Sequence, residues 1–188
     1  MFAYKIQRLI SHFLFYIKFS YWKLIYLKKL SFPYFFKSCI DTGSIINNIN
    51  GEIIFSGRFN SRRNLSINIT NGKLIIGKNV FCNQNVSINC RGIITIGDNT
   101  IIGEDTKFYD HNHRFRPTEL IKEQGFKIKA ISIGKNVWLG SNVIVLSGVT
   151  IGDNSVVSAG SVVYDDIPAN MILKKNKLTK IVGKGIEQ

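Results

Sequence analysis

The sequence predicts an all-β fold, a coil of short parallel strands entered through one amphipathic helix. Three observations predict it. Aliphatic residues recur every six positions in the C-terminal half, one long interruption at residues 109–132 breaks that rhythm, and the N-terminal segment has helical rather than six-residue periodicity. At 188 residues, 45% hydrophobic and 20% charged, the chain is long and apolar enough to bury its own core. Its three cysteines, Cys39, Cys82 and Cys90, form no CxxC pair, which excludes a disulfide framework and a four-cysteine zinc site.

Residues 1–37 are basic and aromatic-rich: residues 1–40 hold seven Lys and Arg with no acid, and 13 of the 22 aromatic residues precede residue 37. On a helix, Lys5, Arg8, His12, Lys18, Lys23 and Lys29 fall on one arc. Leu9, Ile10, Phe13, Leu14, Ile17, Tyr21, Leu24, Ile25 and Leu27 fall on the other, Lys28 breaks the pattern, and Pro33 marks the expected helix end. The uncharged run Leu9–Ile17 is too short for a membrane span, and no small-residue cleavage site follows it. Two destinations fit the apolar arc: the surface of an anionic membrane, contacted through residues 1–30, or packing on the same domain or a neighbouring subunit.

Residues 45–171 carry the repeat. Ile133, Leu139, Val145, Ile151, Val157 and Val163 stand six apart, and Gly134, Gly140, Gly152 and Ser158 directly follow four of them. Val137, Val143, Val149, Ser155 and Ser161, four positions on, are all small or β-branched. An earlier, rougher set runs Ile76-Gly77, Cys82, Ile88, Ile96-Gly97, Ile102-Gly103 and Phe108, with a slip of two between Ile88 and Ile96 at an expected turn. A period of six fits neither a helix nor a hairpin ladder; it fits a coil in which six residues make one side and one corner. The aliphatic position then points inward, and the residue after it needs positive φ or close backbone approach. Asn79, Asn99, Asn136 and Asn154 recur where left-handed turn geometry is expected. Cys82 falls in the inward register as a core filler rather than a nucleophile.

The excursion at 109–132, YDHNHRFRPTELIKEQGFKIKAIS, reads as a loop thrown out from the coil, and such loops carry function. It holds His111 and His113, whose alternation is expected to point them to opposite sides. Charge is uneven: residues 41–171 hold 13 basic and 11 acidic residues, while the tail, 172–188, holds five lysines and one glutamate. The formal charge of +13 thus belongs to the two ends, and a nucleic-acid partner, which would need a basic groove along the coil, is not expected.

VFCNQN at 80–85, DHNHRF at 110–115, VWLGSNVIVLSGVTIG at 137–152 and VVSAGSVVYDDIPAN at 156–170, in that order, resemble the hexapeptide-repeat acyltransferases. The likeness covers about residues 65–170 and lies on the branch that acetylates sugars: galactoside, maltose and capsular-polysaccharide O-acetyltransferases. The resemblance implies a left-handed parallel β-helix, a homotrimer with each active site between two coils, and acetyl-CoA as co-substrate with no metal. It carries the catalytic histidine onto His111, preceded by Asp110, and acceptor binding onto Asn85, Asp110, His113 and Trp138. Coenzyme A contacts fall on Trp138, Gly140, Ser141, Ala159 and Gly160, with Lys174, Lys175 or Lys180, the last chosen first, for its phosphates. The chain departs from the family in having Tyr164-Asp165 before Asp166-Ile167-Pro168, where relatives have Thr-Lys, and in lacking the usual Gly-x-Pro of the tail.

The chemistry implied is direct acetyl transfer from a thioester to a sugar hydroxyl of a bacterial surface polysaccharide or its precursor, with His111 as general base. The expected location is the cytoplasm, with a peripheral contact on the inner face of the cytoplasmic membrane. Alternatives are N-acetylation of a nucleotide-linked amino sugar, acetylation of a small xenobiotic and, more remotely, a γ-carbonic-anhydrase-like metalloprotein. The last needs three histidines per site, and the third histidine here, His12, lies in the basic helix.

Overall fold

The computed structural model describes residues 2–175 and 177–181, apart from the side chains of residues 2–5, 7 and 8. The side chains of Lys5 and Arg8 and the end of the lysine tail, 182–188, therefore lie outside the described residues. A helix, α1 (Phe2–Tyr26), and a single 3₁₀ turn (Leu27–Lys29) lead into a left-handed parallel β-helix of about six turns. Its first face stacks Leu30–Ser31, Glu52–Phe55, Lys73–Ile76, Ile93–Ile96, Ile131–Ile133 and Thr150–Ile151. The second stacks Cys39–Ile40, Phe59–Ser61, Val80–Cys82, Ile101–Ile102, Trp138–Leu139, Val156–Val157 and the terminal hairpin Met171–Lys174 with Lys177–Lys180. The third stacks Ile45–Ile49, Ser66–Thr70, Ser87–Cys90, Lys107–Tyr109, Ile144–Val145 and Val162–Val163.

Register explains where the repeat is clean and where it is not. Ser132 pairs with Thr150 and Trp138 with Val156, 18 residues apart, which is three hexads per turn. Ile53 pairs with Leu74, 21 on, and Leu74 with Ile94, 20 on, because the earlier corners hold extra residues. The slip of two lies in one such corner, at Arg91-Gly92. Inside, equivalent positions stack into columns such as Ile67, Ile88, Phe108, Val145 and Val163, all essentially inaccessible to solvent. Cys82 stands in such a column between Ser61 and Ile102, and burial pushes its thiol far up, so it is inert.

The corners follow their residue chemistry. Asn79, Asn99, Asn136 and Asn154 adopt φ of 56°, 60°, 53° and 58°, which asparagine tolerates better than other non-glycine residues. Their side chains also form a ladder along the coil: Asn136 Nδ2 donates to Asn154 Oδ1 at 2.9 Å, and Asn154 Nδ2 to Asn170 Oδ1 at 3.2 Å. Glycine after the inward aliphatic answers to close approach, not positive φ. A Cβ on Gly140 would lie 2.6 Å from the Ala159 nitrogen of the next turn.

The helix inverts one expectation. Phe15, Phe19 and Trp22 are its buried residues, and Phe19 meets Phe32 edge-on while Phe32 stacks on Phe55, with centroids 4.1 Å apart. This aromatic plug closes the first turn of the coil, and Tyr26 Oη donates to Ile46 O at 2.7 Å. Lys18 and Lys23 bend towards the coil and donate to the carbonyls of Ser44 and Leu30. The aliphatic arc from Leu9 to Leu27 is therefore turned outward, and among the described residues it does not pack on its own domain. The helix also stops seven residues before Pro33: Leu27 takes φ of 43°, and Leu30 must already pair with Ile53.

Candidate functional site

The excursion leaves the coil after Tyr109, at the corner where the third face turns into the first. His111–His113 and Phe126–Ile128 form an antiparallel hairpin, and Lys129 N returns to Asp110 O at 2.9 Å. Asp110 is fully buried, and backbone donors hold its carboxylate: Arg91 N reaches Oδ1 at 2.9 Å and Gly92 N reaches Oδ2 at 2.7 Å. The two-residue slip thus supplies an anion-binding corner, two consecutive N–H groups aimed at one carboxylate. His111 Nδ1 lies 2.9 Å from Asp110 Oδ1. An ionised carboxylate only accepts, so Nδ1 carries the proton and Nε2 is left as the acceptor of the ring. Asp110, expected among the acceptor-binding residues, stands behind the histidine and out of reach of solvent.

His113 does not point away from His111. Residues two apart in a strand share a face, and both rings meet Phe126, His111 edge-on at 5.2 Å and His113 tilted at 4.5 Å. Arg91 caps the same ring with its guanidinium 3.7 Å from the centroid. Phe126 and Arg91 are site residues that sequence reasoning missed. The alternation FKI at 126–128 was visible, but its pairing with HNH was not. Asn112 Nδ2 donates to Ser147 Oγ at 3.1 Å and ties the hairpin back to the coil. Beneath it Cys90 is buried; burial first, then the Asp110 carboxylate, push its thiol up to about 12, so it stays protonated and is no nucleophile at neutral pH.

The other expected residues gather elsewhere. Trp138 projects from the second face, 53% exposed, between Ile101 and Val156 of the adjacent turns. At the corner between the second and third faces, Gly140 is buried with both backbone groups engaged: its N–H donates to Val157 O and its carbonyl accepts from Thr106 Oγ1. Ser141 is partly exposed, and Ala159 and Gly160 are exposed; a Cβ on Gly160 would meet nothing within 4 Å. Asn85 occupies the same kind of corner two turns earlier, with φ of 58°, accepting from Asn64 Nδ2 at 3.0 Å. Thr106 at this corner and Asp110 at the His111 corner are four residues of strand apart, roughly 13 Å. One chain therefore brings His111, Asp110 and His113 together, and Trp138, Gly140, Ser141, Ala159 and Gly160 together, but not the two groups.

The terminal hairpin sorts the lysines. Leu173 O accepts from Ser158 N, so Lys174 and Lys175 run on towards the Ala159-Gly160 corner, while Lys180 pairs with Met171 at the other end of the strand. Among the described residues, no three His, Cys, Asp or Glu side chains come together as a metal set.

Residues 130–165 match the family model for the hexapeptide repeat of succinyl-transferase. The galactoside O-acetyltransferase of Escherichia coli K12 is 43% identical over 97 residues, which is 52% of this chain and 47% of that one. The putative lipopolysaccharide biosynthesis O-acetyl transferase WbbJ of the same organism is 34% identical over 132 residues, 65% of this chain and 67% of that one. A hexapeptide-repeat acetyltransferase from Vibrio cholerae O1 biovar eltor, solved with acetyl-coenzyme A, is 36% identical and superposes with a TM-score of 0.51 over 56% of this chain and 57% of that one. The chain spans about half the length of most curated relatives it matches, and two thirds of the lipopolysaccharide enzyme. Coil, excursion and matched motifs agree: the chain belongs to the hexapeptide-repeat acyltransferase family.

Proposed function

We propose that the protein is an acetyl-CoA-dependent O-acetyltransferase whose acceptor is a sugar hydroxyl of a bacterial surface polysaccharide or its precursor. The observation that carries this reading is the Asp110–His111 pair, a buried, doubly hydrogen-bonded carboxylate holding an imidazole with Nε2 as its acceptor. Acetyl-CoA supplies an activated thioester carbonyl. His111 Nε2 takes the proton of the sugar hydroxyl as its oxygen attacks that carbonyl, and returns the proton to the departing thiolate, leaving a sugar acetate ester and free thiol. Asp110 positions the ring and stabilises the imidazolium between the two transfers. No acyl-enzyme forms, in keeping with the protonated Cys90 thiol. His113 and Phe126 form the acceptor wall beside it.

The thioester arm lies along Trp138, Ser141, Ala159 and Gly160, with Lys174 and Lys175 as phosphate contacts. Because these groups stand a strand away from His111, the complete site joins two copies, the hairpin of one facing the small-residue corner of the next, in a homotrimer. The exposed Ile101–Trp138 patch is the surface such a neighbour covers. The relatives named for galactoside and lipopolysaccharide O-acetylation support a sugar acceptor.

Purified protein, acetyl-CoA and a panel of galactosides, maltose, lipopolysaccharide-type oligosaccharides and amino sugars test the reading by thiol release. Turnover with neutral sugars, lost in His111→Ala, is expected. Turnover confined to amines would replace the hydroxyl acceptor, and full activity in His111→Ala would remove the assigned base.

A further inference from the structure

The helix α1 has two hydrophobic faces, and only one is used. Phe15, Phe19 and Trp22 fill the mouth of the coil. On the opposite side Leu9, Ile10, Phe13, Leu14, Ile17, Tyr21, Leu24 and Ile25 are exposed, Phe13 by 65% and Leu24 by 74%. The stripe extends from Ile6 to Ile25, roughly 29 Å at 1.5 Å per residue. Eight large apolar side chains exposed side by side along one helix form a contiguous patch of the kind that marks an interaction surface. Beside its C-terminal end, a groove of about 1580 Å³ has Leu24, Leu27, Ile49, Lys23, Lys28 and Lys29 among its lining. Among the described residues, no helix is long and apolar enough to cross a membrane, so this face can lie on a bilayer but not span it.

Charge selects the occupant. Residues 1–40 carry seven basic residues and no acid. Lys18 and Lys23 flank the apolar stripe but turn to the carbonyls of Ser44 and Leu30, whereas Lys28 and Lys29, just past the end of the helix, are exposed beside the stripe, where lysine stems reach headgroups while the helix lies flat. A second copy would bring another unrelieved basic segment against the first, and the coil, with 13 basic and 11 acidic residues over 41–171, carries no net negative charge to attract it. We infer that α1 docks on an anionic phospholipid surface, with Leu9, Phe13, Ile17 and Leu24 at the acyl boundary and Lys28 and Lys29 among the headgroups. The buried aromatic face keeps the coil attached to the docked helix. This inference is independent of the acetyl-transfer reading, since its readout is lipid binding.

The experiment is sedimentation of the full-length protein with vesicles of phosphatidylcholine containing about a third phosphatidylglycerol, against phosphatidylcholine alone. Binding is expected only to the anionic vesicles, weakened as salt rises from about 0.1 to about 1 M. Replacing Leu9, Phe13 and Ile17 together by Gln is expected to lower the partition coefficient at least about tenfold. The double charge reversal Lys28→Glu and Lys29→Glu leaves the packed face alone and lowers it by about tenfold as well. Absence of wild-type binding, or binding undiminished in the charge-reversal protein, overturns the inference. So does a triple variant that loses oligomer mass in light scattering while keeping its vesicle binding, because the face is then a contact between copies.

Discussion

The two corners that flank the third face of the coil are built in opposite ways. At the His111 corner, Asp110 is buried, two backbone N–H groups and an imidazole converge on its carboxylate, and the hairpin ties down the strand that carries the ring. At the Gly140 corner the side chains shrink to Gly140, Ser141, Ala159 and Gly160, and the surface beyond Gly160 is open. A group that moves a proton gains from being fixed before the ligand arrives. A surface that receives a long, flexible substrate gains from room and from backbone that can be approached closely. On the proposed function the difference separates the two jobs of a group-transfer site, and two copies set side by side would bring the two corners face to face.

Breaking the fixed corner has the largest expected effect. His111→Ala removes the proposed base and is expected to lower kcat by about a thousandfold with thermal stability nearly unchanged, as read by thiol release and by the melting temperature. Asp110→Asn acts through the tautomer. An amide N–H turned to Nδ1 moves the ring proton to Nε2, where it can no longer accept one, and kcat is expected to fall about a hundredfold. The same change takes the anionic partner from both the Arg91 and the Gly92 N–H groups and lowers stability by about 1–3 kcal/mol in urea unfolding. A mutant that loses that stability but keeps full turnover would make Asp110 a purely structural anchor. At the open corner, Trp138→Ala is expected to raise the KM for acetyl-CoA by about tenfold at nearly constant kcat. A variant that instead dissociates in light scattering would make Trp138 an interface residue only.

The contrast also accounts for what the sequence discloses. The late turns are legible because their corners hold the minimum number of residues, so Ile133 to Val163 keep step, and the left-handed asparagines mark the turns. The early turns are hidden because extra corner residues stretch their circuits to between 20 and 23 positions. One such irregularity, Arg91-Gly92, is the device that holds Asp110, so the feature that obscures the repeat builds the site. Phe126 escapes notice because its contact with the two histidines depends on the register of a hairpin within the excursion. Periodicity finds the aliphatic arc of the N-terminal helix but sets it against a basic arc and passes over the aromatic residues that stand among those charges. Phe15, Phe19 and Trp22 turn inward by fitting the mouth of the coil, a matter of shape that no hydropathy pattern contains.

The smallest expected effect tests the open corner at its far end. Sequence likeness favours Lys180 for the phosphates of the co-substrate, whereas the strand register sends Lys174 and Lys175 towards Ala159-Gly160 and leaves Lys180 beside Met171. Exposed ammonium groups on a flexible stem contribute modestly to a phosphate contact, about 0.2–1 kcal/mol each. The double substitution Lys174→Ala and Lys175→Ala is therefore expected to raise the KM for acetyl-CoA about three- to tenfold, with kcat unchanged and a weaker dependence on salt. Lys180→Ala is expected to leave all three alone. The opposite ranking would mean that the cofactor runs along the second face towards Met171, away from the small-residue corner. Gly160 would then be open for the sake of the turn alone.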